Sequence, residues 1–151
     1  MSTPKQFCTF HVGDMFLGIP VEHVQEVLRY HAMTRVPLAA ASVSGLINLR
    51  GQIVTAIDLR SRIGLPARSA DRQLMNVVIR ADDGVVSLLV DSIGDVKEVH
   101  ERDFEPPPST LRGSARDLIR GAYKLDHQLL LVLDDLEVLN IPDETSALLT
   151  S

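Results

Sequence analysis

The sequence is short of the features that usually brace or arm a small protein. It has one cysteine in 151 residues, no tryptophan, and only 4% aromatic residues. A single thiol, Cys8, excludes an intrachain disulfide and a cysteine-built zinc cluster, so folding has to rest on ordinary burial of apolar surface. The 45% of apolar residues are enough for such a core in one domain. Cys8 lies in an apolar run and reads as a small core residue rather than a nucleophile. Positive charge is also scarce: 15 basic against 20 acidic side chains give a net charge of -5, with the arginines scattered among carboxylates. A nucleic-acid partner needs a basic stripe, and none is present. No apolar run approaches the roughly 20 residues that cross a bilayer, and MSTPKQF lacks the basic-then-apolar form of a signal peptide. The expectation is a cytoplasmic protein without direct membrane insertion.

Scaffolds for chemistry are missing as well. No GxxxxGK[ST] loop, GxGxxG turn, GxSxG elbow or HExxH pair occurs, and His11, His23, His31, His100 and His127 are dispersed. The adjacent carboxylates Asp82-Asp83 and Asp134-Asp135 diverge on a strand or turn, and fit turn formation and helix capping better than acid/base work. The expected protein has no catalytic residues, no metal and no cofactor.

What is present is a series of short apolar strands reversed by glycine turns. Residues 6–12 and 15–21 flank Gly13-Asp14, and residues 43–59 split into two strands around Arg50-Gly51. Residues 75–80 and 85–90 flank Ala81-Asp82-Asp83-Gly84, the strongest hairpin signal in the chain, and residues 121–125 and 128–133 flank Asp126-His127. Val21, Val24, Val27 and Leu28 recur at helical spacing and predict a short amphipathic helix starting at Pro20. Residues 67–72 and 105–116 read as loops, and residues 141–151 as a flexible tail. Asp58 and Asp134 stand where each would cap a short helix.

The two halves resemble each other. QEV at 25–27 answers KEV at 97–99, and Gly45 precedes Asp58 by the same 13 positions that separate Gly121 from Asp134. Doubled short strands with hardly any long helix predict a mainly β fold of two small barrels sharing one core, with Leu17, Ile19, Ile57, Val78, Leu89, Leu131 and Leu133 buried.

One residue stands out against this background: Arg50 occupies the tip of an otherwise apolar hairpin. Alone it reads as a solvated turn residue, or else as a guanidinium held by a carboxylate and aimed at a partner. The motifs around it decide the family. HVQEVLRY at 23–30, GLINLRGQIVTAIDLR at 45–60, LLVDSIGDVKEV at 88–99, and LIRGAYKL followed by LLLVLDDLEVLN together strongly resemble the CheW family of chemotaxis coupling proteins, over residues 6–140.

That resemblance implies two intertwined, five-stranded, SH3-like β-barrels with short helices, forming one CheW-like domain without enzymatic activity or fused receiver and kinase domains. It implies two partners: the cytoplasmic tip of methyl-accepting chemotaxis receptors and the regulatory domain of a CheA-type histidine kinase, joined in arrays at the inner face of the membrane. Carried over by position, Arg50 and Glu26 match the family's charged coupling pair, Val24 and Gly45 match neighbouring receptor-side positions, and Asn48 and Gly51 complete the set expected to bind receptor or kinase. The 105–112 loop, EPPPSTLR, departs from the family in having Glu105 and Thr110 where a basic residue and an aromatic can occur, so a kinase-side contact through this loop is either weakened or uses Leu111 as its apolar anchor. Alternatives are a scaffold of a non-flagellar system controlling twitching or biofilm formation, and a small-ligand-binding β-barrel.

Overall fold

A computed structural model of the chain describes residues 4–29, 33–34, 43–66, 74–81 and 84–140. In chain order its strands are β1 (Lys5–Val12), β2 (Met15–Pro20), β3 (Val24–Leu28), β4 (Val43–Leu49), β5 (Gln52–Asp58), β6 (Met75–Ala81), β7 (Gly84–Val90), β8 (Ser92–Val99), β9 (Phe104–Glu105), β10 (Ile119–Lys124) and β11 (Leu129–Leu133). Three short helices, α1 (Leu59–Ile63), α2 (Gly113–Leu118) and α3 (Asp135–Val138), complete it. The four expected hairpins form, β1 with β2, β4 with β5, β6 with β7 and β10 with β11. Gly13 takes the left-handed conformation in the first turn, with φ of 60°. Asp82 and Asp83 of the third turn lie outside the described residues, as do residues 67–73, His31 and the 141–151 tail.

The strands form two sheets, one ordered β8-β1-β2-β11-β10-β9 and the other β3-β6-β7-β5-β4. Replacing each strand of the five-stranded sheet by its counterpart in the other half of the chain turns this second order into β8-β1-β2-β11-β10. The two sheets therefore have the same plan, and each takes strands from both halves. Even the two-residue β9 has a counterpart: Glu105 pairs with Ala122, one residue after Gly121, and Thr34 bridges to Leu46, one residue after Gly45. The doubling extends to the caps. Asp58 accepts the Arg60 backbone N–H at 3.0 Å and Asp134 accepts that of Glu137 at 3.1 Å, each opening the helix that follows its hairpin.

Intertwining explains why the strands read as nearly continuous apolar runs. Alternate residues serve two cores. On β7, Leu88 and Val90 enter the core shared by both sheets while Leu89 packs inside the five-stranded one. On β11, Leu131 and Leu133 join the shared core while Leu130 and Val132 pack with Phe7, Phe16 and Tyr123 inside the six-stranded one. All seven side chains expected to be buried are buried, each contributing about 1.5–3 kcal/mol if large and aliphatic.

Three expectations need correction. The helix from Pro20 does not form: Val21–His23 makes a single 3-10 turn and the chain continues as β3, paired with β6 from Leu28 opposite Asn76 to Val24 opposite Ile79. Two turns of helix are below the length that nucleation favours, β-branched valines suit a strand, and the edge of β6 supplies backbone partners that the sequence pattern cannot show. Residues 105–116 are loop only in part, since Glu105 belongs to strand β9 and helix α2 begins at Gly113. Cys8 is half-buried rather than a core residue, and burial pushes its thiol pKa up, away from an activated thiolate.

Candidate functional site

The β4–β5 turn is built for a defined shape. Arg50 and Gly51 both have positive φ, 54° and 89°, which matches the twist of a two-residue hairpin connection. The Asn48 side-chain oxygen accepts the Gly51 N–H at 2.8 Å and fixes the loop. Glycine meets that backbone requirement freely, but arginine does not. Arg50 is the one residue other than glycine with positive φ among the described residues, and the left-handed conformation is uncommon for a residue with a long side chain.

The guanidinium of Arg50 reaches to Glu26 on β3. Nη1 donates to Oε1 at 2.7 Å and Nη2 to Oε2 at 2.6 Å, a two-bonded fork. The Arg50 side chain is 68% exposed and that of Glu26 21%. The hydrogen bond from Arg50 is the main cause holding the Glu26 carboxyl below the usual carboxylate range, against a smaller opposing effect of desolvation. β3 and β4 are the outer strands of the five-stranded sheet, so this clasp joins its two edges where strand pairing leaves them open.

Of the remaining expected site residues, Val24 and Gly45 lie on the strands next to the clasp and Leu111 does not. Val24 begins β3, half-buried against the shared core, and its carbonyl accepts from Arg80 Nη1 at 3.2 Å. Gly45 is buried in β4 at an irregularity in its pairing with β5, opposite Ala56. Val24 and Gly45 thus shape the strands that carry Glu26 and Arg50 rather than stand free in solvent. Leu111 belongs to a separate loop and packs half-buried on the shared core, its N–H donating to Pro108 O at 3.1 Å.

Several contacts escaped the sequence reading. Arg62 of α1 donates to the carbonyls of Val138, Glu137 and Asn140, closing the end of α3. Arg60 pairs with Asp91 at 3.1 Å, and the same carboxylate oxygen accepts the Gly13 N–H at 2.7 Å. His23 Nδ1 lies 3.1 Å from Asp135 Oδ2, yet that buried nitrogen has no well-formed hydrogen bond, so the pair is a close contact rather than a directional bond. A groove of about 1040 Å³ runs beside His23, floored by Phe7, Tyr123 and Val132 and bordered by Lys5, Glu22, Glu98 and Arg120. Among the described residues, no group of three or more His, Cys, Asp or Glu could hold a metal ion. No helix among them is long and apolar enough to cross a membrane.

A doubled, strand-exchanged β scaffold that presents a clasped arginine on a fixed hairpin tip is the class of protein defined so far. A family model described as the CheW-like domain matches residues 6–142. The chain is 30% identical over 147 residues to the chemotaxis protein CheW of Bacillus subtilis (strain 168), covering 97% of this chain and 94% of that protein. It is also 30% identical over 134 residues to the chemotaxis protein CheW of Helicobacter pylori, covering 89% and 81%. The crystal structure of the scaffolding protein TtCheW from Thermoanaerobacter tengcongensis superimposes with a TM-score of 0.77 at 26% identity, covering 87% of this chain and 89% of that one. The chain belongs to the CheW-like family, and is a chemotaxis adaptor within it.

Proposed function

We propose that this protein couples the cytoplasmic tip of methyl-accepting chemotaxis receptors to the regulatory domain of a CheA-type histidine kinase, on the cytoplasmic side of the membrane, by holding both without transforming either. Arg50 is the central contact, Glu26 sets its direction, and Asn48 and Gly51 hold the turn that carries it. Val24 and Gly45 act through the placement of β3 and β4, and Leu111 steadies the loop that meets the kinase. The single observation that carries this reading is the clasp: a two-bonded, largely exposed arginine at a turn position that its own backbone disfavours. Arginine is enriched among the hot spots of protein interfaces, where its planar fork meets carboxylates.

The test is recruitment. Receptor-containing membranes sedimented with purified kinase should carry the kinase down only when this protein is added, in proportion to its concentration up to saturation. Failure of the wild-type protein to bind either the receptor tip or the kinase regulatory domain overturns the reading.

A further inference from the structure

We propose that Arg50 holds two carboxylates at once, Glu26 of its own chain and one aspartate or glutamate supplied by the partner that docks on the β4–β5 tip; this rests on the adaptor reading above. A guanidinium carries five N–H donors. Two go to Glu26, one from each terminal nitrogen. No other acceptor for Arg50 is recorded among the described residues, which leaves Nε–H and one N–H on each terminal nitrogen. Nε–H and the neighbouring terminal N–H form the second fork of the same plane, the edge that receives a carboxylate side-on with two parallel bonds.

The surroundings keep that fork accessible. Arg50 is 68% exposed on its side chain, and the turn that carries it is uncrowded, since a methyl group built on Gly51 would touch nothing within 4 Å. Glu26 fixes the plane, which removes most of the rotamer freedom that a free arginine loses on binding. One exposed apolar side chain stands beside the turn: Ile53, 61% exposed, pairs across from Asn48 in β5, next to the Arg50-Gly51 reversal. A partner covering Ile53 together with the turn would exclude water from the second fork and strengthen its bonds. The complementary partner surface is therefore an acidic side chain set among aliphatic or aromatic ones. Lysine at position 50 would keep the charge but lose the planar geometry that serves two carboxylates.

The experiment is a set of double-mutant cycles. Each Asp of the purified kinase regulatory domain and of a receptor-tip fragment is changed to Asn, and each Glu to Gln, and titrated against wild-type protein and Arg50→Gln. One partner carboxylate should stand out, its neutralisation weakening binding to wild type about tenfold while leaving binding to Arg50→Gln nearly unchanged. Arg50→Lys should recover little of the loss, with thermal melting confirming that each variant is folded. If wild type binds but every acidic substitution has the same effect in both backgrounds, the second carboxylate does not exist and the adaptor reading survives. If wild type binds neither fragment, both fall together.

Discussion

Replacing Arg50 by asparagine separates folding from binding more cleanly than an alanine substitution. Two effects on stability oppose each other. Asparagine tolerates the left-handed conformation that Arg50 holds at φ of 54°, so the change relieves backbone strain. Asparagine still bears part of that cost, and relief of about half of it is equivalent to about 1–4 °C in melting temperature for a chain of this length. The change also removes the fork to Glu26, but that pair is exposed, and exposed pairs contribute little to stability because water and salt screen them. The melting temperature of Arg50→Asn should therefore lie within about 3 °C of wild type, and above it if strain outweighs the pair. Binding has no such compensation. Loss of an arginine anchor at an interface weakens affinity by about thirtyfold or more. Circular dichroism melting checks the first half of the prediction, and calorimetric titration with the receptor tip and the kinase regulatory domain checks the second. A drop of more than about 5 °C would show that the clasp is a structural staple of the five-stranded sheet. Unchanged affinity for both partners would reduce Arg50 to a solvated turn residue.

Other outcomes follow from the same structure. Because its hydrogen bond to Arg50 lowers the Glu26 pKa from the ordinary 4.5, the clasp's contribution is complete above that value and is lost as pH falls through the lowered one; in Arg50→Gln, an NMR titration of Glu26 should move back up. Asp134→Ala removes the cap on the Glu137 N–H and should cost about 1 kcal/mol by denaturant unfolding. In Gly121→Ala the new methyl would lie 2.7 Å from the Glu105 carbonyl oxygen and collide with the Phe104 ring, so β9 must move and stability should fall by about 1–3 kcal/mol; a melting curve that matches wild type would show that β9 adds nothing. Purified protein should neither hydrolyse ATP nor accept phosphate from a CheA-type kinase, as a radiolabelled phosphate assay would reveal.

The sequence alone determined the features that arise within a few residues. Gly13, Gly51 and Gly84 mark reversals because their backbone needs are local, and Asp58 and Asp134 cap the helices that follow them for the same reason. The repeat was legible in equal spacings such as Gly45 to Asp58 and Gly121 to Asp134, and so was the family, through the motifs around Arg50. Tertiary structure decided the rest. That β3 is a strand and not a helix depends on the edge of β6, some 50 residues later, because a short valine-rich segment takes whichever conformation finds backbone partners. Nothing in the spacing of Glu26 and Arg50 shows that they touch; the family resemblance paired them, and the curl of the five-stranded sheet brings its outer strands together. The exchange of strands between halves is equally invisible locally. Alternating apolar residues specify that two faces must be buried, but which strand covers each face is settled only when both halves fold around one core.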